Sequence, residues 1–363
     1  MTKKFNVSSN IKEAETLPAS FYRDQNIFDL LKENVFLKTW QWIGDESQVP
    51  FEGHVHPFVL LDNFLTEPLV LVREKDDSIK CFSNVCTHRG NIVVQHPGKV
   101  RHLRCMYHGR RFNLDGSFLS MPEFEEAENF PRPCDSLYEF PMRNLGPHLF
   151  VGLNPAFDLD AVLSSMTERI GFLPLDQFKF SSILSKDYLV SCHWTLYCDN
   201  YLEGFHIPFV HESLNELLDY GEYYTELLDH ATLQVGIAND GEECFDLPEY
   251  HKDYGKKIGA YYYWIFPNMM FNFYPWGLSV NVVKPISINK TKVSFLTYIY
   301  DENKFADGAA AMIDKVERED EFVVEGVHKG VQSRFYTTGR FSPTREEGVH
   351  HFHRLLAKFI DKE

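Results

Sequence analysis

The chain has 363 residues, of which 44% are hydrophobic, and its 52 acidic residues outnumber 36 lysines and arginines, for a formal net charge of −16. At roughly 100–200 residues per domain this length predicts two or three domains, and the hydrophobic share excludes a disordered chain. The acidic balance argues against a nucleic-acid partner, because phosphate binding needs a basic surface. No apolar run reaches the roughly 18 residues that predict a membrane span.

Two further features predict the compartment. The polar start of the sequence, Met1 to Leu17, has no apolar stretch typical of a secretory signal. The seven cysteines are an odd number and an ordinary one for this length, so they do not predict a disulfide framework. We therefore expect a cytoplasmic protein.

The first predicted element is an amphipathic helix over Phe21–Trp40, with Asp24 as its N-cap. Short β-like runs separated by turn signals follow from Gln41 to Pro155. Asp115-Gly116 is the strongest hairpin signal among them. This pattern predicts a small all-β module after the N-terminal helix.

Longer strands and helices alternate beyond this module. Strand-like patterns cover Leu189–Trp194 and Tyr261–Val283, and helical patterns cover Ala309–Ser333 and Gly348–Ile360. The whole chain is therefore expected to be α+β. The predicted division is a helical segment over 1–40 that packs on the last domain, an all-β module over 41–155 and a larger domain over 156–363.

Two cysteines and two histidines form the first candidate site. Cys86 and His88 are followed, after sixteen residues, by Cys105 and His108, and a glycine after each pair lets the loop turn sharply. These side chains could hold one zinc ion or one [2Fe–2S] cluster. Each loop supplies one thiolate and one imidazole, whereas zinc fingers pair cysteine with cysteine. The pattern therefore favours a Rieske cluster, with both cysteines on one iron and both histidines on the other.

The same segment is strongly basic. Between Cys86 and Arg111 there are six basic residues and no acidic one. The basic residues are Arg89, Lys99, Arg101, Arg104, Arg110 and Arg111. They could form a docking surface for an acidic electron donor, or a solvated face that offsets the charge of the cluster, and the sequence leaves both interpretations open.

A second candidate site lies in the larger domain. His206 and His211 are five residues apart, which on an unbroken helix places them about 140° from each other. Pro208 is expected to end or kink the helix and bring His211 back. Two imidazoles and one carboxylate leave open positions on Fe(II), as in non-haem oxygenases. The carboxylate candidates are Glu203, Glu317, Glu319, Asp320 and Glu321.

Aromatic residues crowd the segment from 261 to 276. They are Tyr261, Tyr262, Tyr263, Trp264, Phe266, Phe271, Phe273, Tyr274 and Trp276. An aromatic cage suits a quaternary ammonium ion. Core packing is expected for most of them, because only alternate side chains of a strand face one cavity.

Together, the C-x-H … C-x-x-H module and the later N-x-x-E-x-x-H-x-x-x-x-H segment resemble the α subunit of a Rieske non-haem iron oxygenase. The resemblance implies an all-β Rieske domain inserted before a helix-grip (START/Bet v1-like) catalytic domain with an antiparallel sheet. It implies that the cluster is held by Cys86, His88, Cys105 and His108. It implies that the mononuclear iron is held by His206, His211 and, in preference to Glu319, Asp320.

The resemblance also implies two catalytic residues, Glu203 and Asn200. Glu203 matches the carboxylate that links a cluster histidine to an iron-ligand histidine. The ring-dihydroxylating branch usually has Asp there. Glu203, like the stretch from Trp264 to Asn268, therefore favours the monooxygenases that act on quaternary amines such as choline, glycine betaine or carnitine.

The implied activity is hydroxylation of a small organic substrate, best matched by the N-methyl group of a quaternary amine, followed by demethylation. The implied cofactors are a [2Fe–2S] cluster and one Fe²⁺. The implied partners are O₂, an NAD(P)H-dependent reductase or ferredoxin, and two further copies of the chain in a homotrimer. The alternatives are an aromatic-ring hydroxylating dioxygenase, a Rieske electron carrier fused to a non-catalytic ligand-binding domain, and a binding protein that holds zinc.

Overall fold

The structure, a computed structural model, describes residues 5–305 and 309–361. The chain divides into two compact units. The small unit is Leu37–Phe157, and the large unit combines the described residues up to Phe36 with those from Asp158 onward. None of the helices in the described part of the chain has both the length and the hydropathy that crossing a membrane requires.

The small unit is built from short antiparallel strands, as the spacing of turn signals predicts. Its strands are β1 (Trp40–Asp45), β2 (His54–Leu60), β3 (Glu67–Arg73), β4 (Ile79–Ser83), β5 (Gly98–Lys99), β6 (Leu103–Arg104), β7 (Arg111–Phe112), β8 (Phe118–Ser120), β9 (Glu139–Phe140), β10 (Met142–Leu145) and β11 (His148–Gly152). They form three sheets, with the strand orders β5-β2-β3-β4-β9, β6-β7-β8 and β1-β11-β10.

The predicted hairpin connects β7 and β8, where Phe112 pairs with Phe118. Gly116 in its turn has a left-handed backbone with φ 78°. A Cβ atom at this position would lie 2.6 Å from the ring of Phe82, which is buried in the core of the unit. Both the backbone conformation and the close packing therefore require glycine in this turn.

One antiparallel sheet of seven strands dominates the large unit. Its strands are β12 (Lys179–Val190), β13 (Tyr224–Leu228), β14 (Ala231–Ile237), β15 (Ile258–Ile265), β16 (Met269–Tyr274), β17 (Gly277–Ser287) and β18 (Lys290–Ile299), in the order β12-β18-β17-β16-β15-β14-β13. The helices are α1 (Gln25–Leu31), α2 (Asp160–Ile170), α3 (Trp194–Tyr201), α4 (Ile207–Val210), α5 (Glu212–Leu217), α6 (Glu302–Phe305), α7 (Ala309–Val331) and α8 (Glu347–Ile360). The predicted α+β class is confirmed.

The N-terminal helix is shorter than the pattern over Phe21–Trp40 predicts. Asp24 does cap it, because its carboxylate accepts the N–H of Asn26 at 3.0 Å. The α-helix ends at Leu31, and a π-helical turn over Lys32–Phe36 follows. Val35 and Phe36 are buried in this wider turn. Trp40 already belongs to β1.

A row of polar side chains crosses the sheet of the large unit. Gln234 pairs with Tyr262, Tyr262 with Asn272, and Asn272 with Ser279 on four neighbouring strands. Residues that lie directly opposite each other in antiparallel strands point to the same side of the sheet. These four residues, which we call the polar row, therefore share one face.

Helix α3 is anchored to both long helices by buried polar contacts. The Tyr197 hydroxyl lies 2.5 Å from the carboxyl group of Glu317 on α7. On α8, His353 accepts the N–H of Leu17 at its Nδ1, so its Nε2 carries the proton and donates to Asp199 at 3.0 Å. These contacts fix the end of α3 from which the segment with the two candidate iron ligands continues.

Candidate metal centres and substrate cavity

Both cysteine–histidine pairs lie on the same type of backbone turn. The N–H of Gly90 donates to the carbonyl of Cys86 at 2.9 Å, and the N–H of Gly109 donates to that of Cys105 at 3.1 Å. In both loops the cysteine N–H also donates to the carbonyl five residues later, at 2.8 and 2.9 Å. The two glycines have left-handed φ angles of 71° and 74°, which other residues adopt only at a cost. The two loops therefore present their cysteines on matching backbones.

The two thiols point inward and the two imidazoles outward. Cys86 and Cys105 are 3% and 2% exposed and belong to the hydrophobic core of the small unit. His88 is half-buried and His108 is exposed, and their ring centroids are 4.8 Å apart. The structure thus pairs the two predicted cysteines with each other and the two predicted histidines with each other.

The surroundings of the thiols distinguish the two cysteines. Burial and the neighbouring thiol of Cys105 raise the pKa of Cys86, against a backbone hydrogen bond from His88. Burial also acts against ionisation of Cys105, but the N–H of Tyr107 and the side chain of Asn91 lower its pKa below the usual value. The Asn91 amide lies 3.5 Å from the Cys105 sulfur. Two adjacent thiols with N–H donors beside two adjacent imidazoles fit a [2Fe–2S] cluster of the Rieske type.

Arg110 is buried, so the six basic residues of the segment do not all belong to one docking surface. It is only 2% exposed, and its guanidinium donates to the carbonyl and the carboxylate of Asp135 at 2.7 and 3.0 Å. Arg132 donates to the other oxygen of the same carboxylate. Arg110 therefore fastens the second cluster loop to the loop at 132–135, and it cannot belong to a docking surface.

The other basic residues of the segment are exposed. They are Arg89, Lys99, Arg101, Arg104 and Arg111. Met106 and Tyr107, which precede His108, are also exposed, at 68% and 60%. The surface beside His108 is therefore partly apolar, and the small unit carries five exposed basic residues.

The candidate iron histidines flank a helix of four residues. His206 is the N-cap of α4, and His211 lies between α4 and α5 with φ −115° and ψ 74°. Pro208 sits in the first turn of α4, where a missing N–H costs nothing. Pro208 is predicted to end or kink a helix, but it lies at the start of one: α3 has already ended at Tyr201, and α4 ends at Val210, directly before His211. The two rings nevertheless converge, with centroids 5.1 Å apart.

Asp320 on α7 completes a group of three metal-ligating side chains. Its Oδ1 lies 3.5 Å from Nε2 of His206 and 3.0 Å from Nε2 of His211. One ligand atom from each of the three residues falls within 4.8 Å of the others. His211 is buried, while His206 and Asp320 are largely buried. The structure therefore brings together the predicted His206, His211 and Asp320.

Carboxylates occupy the other ring nitrogens of both histidines. Glu203 lies 2.7 Å from Nδ1 of His206, and Glu319 lies 2.7 Å from Nδ1 of His211. The second oxygen of Glu203 accepts the N–H groups of Phe205 and His206. Such partners fix the tautomer and turn both Nε2 atoms toward Asp320. Glu319 thus contacts only the outer nitrogen of His211 and orients its ring, whereas Asp320 faces the Nε2 atoms of both histidines.

The remaining acidic candidates point elsewhere. Glu321 pairs with Arg318 at 2.9 Å. Glu317 accepts the Tyr197 hydroxyl, and burial raises its pKa well above the usual range. Burial alone would lower the pKa of His211, but Asp320 and Glu319 raise it. The group of His206, His211 and Asp320 therefore attracts positive charge, and its donors fit a divalent iron.

A cavity of about 480 Å³ opens onto this group. Both histidines and Asp320 line it, as do Glu203 and Asn200, the two residues predicted to be catalytic. Polar side chains from α3 and the sheet and apolar side chains from α5 complete the wall. Its volume is in the range of pockets that bind small molecules.

The aromatic cluster separates by strand parity, as expected. Tyr262, Tyr274 and Trp276 line the cavity, and the ring of Tyr274 stacks on that of Trp276 with centroids 4.9 Å apart. Tyr261 and Phe273 occupy alternate strand positions and pack in the core. Tyr201 from α3 and Tyr223 add two further rings to the wall. The cavity wall is therefore rich in tyrosine.

Sequence reasoning missed several residues of the wall. Gln234 and Asn272 come from the polar row, and Tyr197 comes from the contact of α3 with Glu317 on α7. The alternation of polar and apolar residues in the strand Ala231–Ile237 is the one signal that could have indicated Gln234. Contacts between helices more than a hundred residues apart leave no such local signal.

Two family models match the chain. The Rieske [2Fe–2S] domain matches residues 39–131. The catalytic domain of the ring-hydroxylating α subunit matches residues 179–362, which is about half of the chain. These matches cover the cluster loops and the group of His206, His211 and Asp320, respectively.

The chain is also similar, over nearly its whole length, to several known proteins. The chain is 28% identical to a chloroplastic choline monooxygenase of Arabidopsis thaliana, over 98% of this chain and 85% of that protein. It is also 28% identical to the carnitine monooxygenase oxygenase subunit of Escherichia coli (strain K12), over 97% and 96%. A crystal structure of a quaternary ammonium Rieske monooxygenase with an inhibitor shares the fold, with a TM-score of 0.81, 22% identity and 99% of both chains covered.

Proposed function

The chain belongs to the family of ring-hydroxylating oxygenase α subunits with a Rieske domain, and from this premise we propose that it hydroxylates a small quaternary amine. It is a Rieske non-haem iron oxygenase with a [2Fe–2S] cluster and a mononuclear iron, so the predicted family, enzyme class and cofactors are confirmed. The observation that carries the substrate class is the tyrosine-rich cavity beside the group of His206, His211 and Asp320.

We assign the metal ligands from the two groups that the fold assembles. The cluster belongs to the domain proposed at 41–155, and the iron and the substrate belong to the domain at 156–363. The proposed cluster ligands are Cys86, His88, Cys105 and His108, and the proposed iron ligands are His206, His211 and Asp320. When bound, the two groups would supply single electrons and the activation of O₂.

The residues around the iron ligands have distinct proposed roles. The carboxylate of Glu203 accepts a hydrogen bond from the protonated Nδ1 of His206, and hydrogen bonds from the backbone keep that carboxylate in place. Glu319 does the same for His211. Asn200 lines the cavity beside them and positions the substrate. Each histidine therefore presents a bare Nε2 toward the iron position.

The reaction proposed for an N-methyl group balances with two external electrons. One oxygen atom of O₂ enters a C–H bond of the methyl group, and two electrons and two protons convert the other atom to water. The C–N bond of the resulting hydroxymethyl group then breaks with its electron pair on nitrogen, the hydroxyl proton is released to water, and formaldehyde and a demethylated amine remain. A cation is attracted to the faces of aromatic rings at roughly 0.5–2 kcal/mol each, which favours this substrate class in a wall with several tyrosines.

The partners follow from the surfaces beside the two sites. His108 is exposed next to Met106 and Tyr107, and His206 lies between Phe205 and Phe209, which are 41% and 81% exposed. We propose a homotrimer in which the cluster end of one copy meets the Glu203 region of the next, so that Glu203 also accepts from His108 of that copy. Such apolar patches beside redox sites are typical of covered surfaces.

A separate electron donor is the second proposed partner. The five exposed basic residues of the small unit favour an acidic donor, either a reductase that uses NAD(P)H or a ferredoxin. Assembly and electron supply are proposed to take place in the cytoplasm.

The experiment combines the purified chain with a generic reductase, NADH and O₂, and screens small quaternary amines beside simple aromatic compounds. With at least one quaternary amine, we expect formaldehyde to form and NADH to be consumed in equal amounts. Dihydroxylated aromatic products without oxidation of any amine would contradict the proposal and would favour a ring dioxygenase.

A further inference from the structure

Gln234 lies at the inner wall of the cavity with its amide held in one orientation. It is 1% exposed and lines the cavity from the middle of β14. Its Nε2 donates to the backbone carbonyl of Tyr201 at 2.7 Å. A carbonyl oxygen can only accept a hydrogen bond, so the amide nitrogen must face Tyr201 and the amide oxygen must face away from it.

This oxygen lacks a donor. Among the described residues no group donates to Oε1 of Gln234, although the atom is buried. A buried acceptor without a donor is unfavourable and uncommon in folded proteins. A bound molecule with a hydroxyl group would donate the missing hydrogen bond to Oε1. A carboxylate has no proton to donate, so it would place a second acceptor against the first.

The charged side chains around the cavity also favour an alcohol over a carboxylate. Glu242 and Glu243 line it from an exposed loop between β14 and β15, and no described residue forms an ion pair with either. Lys304 is the one lysine or arginine that lines the cavity in the described part of the chain. A positively charged substrate is therefore attracted, and a carboxylate on that substrate meets more negative than positive charge.

From these observations we propose that Gln234 is a specificity-determining residue that accepts a hydrogen bond from the hydroxyl group of the substrate. The preferred class is then a quaternary ammonium alcohol, and quaternary ammonium carboxylates are poor ligands. This inference rests on the proposed function, because it concerns which quaternary amine the cavity accepts.

Three matched ligands test it by calorimetric titration of the holoenzyme. Choline carries the hydroxyl group, propyltrimethylammonium replaces it with a methyl group, and glycine betaine replaces the alcohol with a carboxylate. We expect choline to bind about tenfold more tightly than propyltrimethylammonium and about 100-fold more tightly than glycine betaine. Turnover of the same ligands is measured in parallel.

Two variants at one position separate the hydrogen bond from the shape of the cavity. Gln234→Met keeps the length of the side chain and removes the acceptor, so the preference for choline over propyltrimethylammonium should fall to within about twofold. Gln234→Glu keeps an acceptor and should retain that preference. Thr232→Val is the control, because Thr232 is buried on the same face of β14 but does not line the cavity, and the ratio should not change.

The outcomes distinguish the two levels of the account. Turnover of glycine betaine with an affinity equal to that of choline, or an unchanged ratio in Gln234→Met, would overturn the role of Gln234 and leave the proposed function intact. A loss of glycine betaine binding in Lys304→Met, with that ligand preferred by the native chain, would assign the selection to Lys304 instead. Absence of binding and turnover for all three ligands would overturn this inference, and the proposed function falls as well when the wider screen also finds no quaternary amine that is oxidised.

Discussion

The two candidate metal sites are built in opposite ways. In the small unit, two loops of five residues repeat one backbone turn, and each turn places a cysteine in the core. In the large unit, His206 and His211 come from one irregular segment and Asp320 comes from a helix more than a hundred residues later. The small unit thus holds its ligands by local backbone geometry, and the large unit holds them by side chains that meet through the fold.

This difference determines what each site needs around it. The cluster loops depend on left-handed glycines and on the contact of Arg110 with Asp135. The iron histidines depend on Glu203 and Glu319, which occupy their second ring nitrogens. A site fixed by side chains should lose its function through carboxylate substitutions, whereas a site fixed by the backbone should lose stability through changes in its turns.

The largest expected effect comes from Asp320→Ala. Loss of this carboxylate removes one of three iron donors, so we expect turnover to fall below detection and the iron content to fall from about three to about two per chain. The visible spectrum of the cluster should be unchanged, because Asp320 belongs to the other unit. Asp314→Ala is the control on the same helix, where the carboxylate pairs with exposed Lys186, and it should retain the iron.

Glu203→Gln should have the next largest effect. The neutral amide oxygen accepts the Nδ1–H of His206 more weakly than the charged carboxylate does, so we expect the turnover number to fall at least about 100-fold. Iron content and the spectrum of the cluster should remain those of the native chain. Glu212→Gln, an exposed acid in the first turn of α5, should be neutral. Native turnover in Glu203→Gln would remove the residue from the mechanism.

Asp135→Asn tests the support of the cluster loops. Burial would raise the pKa of Asp135, but hydrogen bonds from Arg132 and Arg110 lower it to about 2. The folded pKa is thus below the ordinary value of about 4, so the stabilisation is complete above pH 4 and is lost as the pH falls toward 2. We expect the variant to lower the free energy of unfolding by about 2 kcal/mol at pH 7.

The pH dependence separates this role from a general loss of packing. The difference in unfolding free energy between Asp135→Asn and the native chain should shrink between pH 4 and pH 2, measured by denaturant unfolding followed by circular dichroism, because acid releases the sulfide of the cluster. Glu139→Gln, which breaks a half-exposed ion pair with Lys80, should cost no more than about 0.5 kcal/mol. An equal cost for both variants would contradict the special role of the buried pair.

The smallest expected effect is that of Gly109→Ala. A Cβ atom at this position meets only Pro122 and Arg104, at ordinary distances of 3.5 and 3.9 Å, so the cost comes from the left-handed backbone and should be about 1 kcal/mol. Gly330→Ala on α7, where a Cβ atom has no neighbour within 4 Å, should leave the melting temperature unchanged or raise it. Equal melting temperatures of the two variants would show that the turn does not need glycine.

The same contrast explains what the sequence could predict. The cluster site follows from four residues and two glycines that lie close together along the chain, so the pattern contains most of its geometry. The family resemblance added Asp320, and the structure places it at both Nε2 atoms. The role of Glu319 as a partner of His211 could not be predicted, because it depends on the direction in which α7 faces the histidine segment.

Two errors have physical causes of the same kind. Arg110 is one of six basic residues in its segment, and composition cannot show that the fold buries it beside Asp135. Pro208 is compatible with either end of a helix, and the structure uses it at the start of α4. The parity rule for strands did separate Tyr262 and Tyr274 from Tyr261 and Phe273, since alternation along a strand is a local property.

The central claim is that one chain carries a two-iron cluster and a separate iron beside a substrate cavity. The most direct measurement is the content of iron, acid-labile sulfide and zinc in the purified chain, determined together with its visible spectrum. We expect about three iron atoms and about two sulfides per chain, with one iron lost in Asp320→Ala. Zinc in the cysteine–histidine loops, or two iron atoms in both the native chain and the variant, would contradict it.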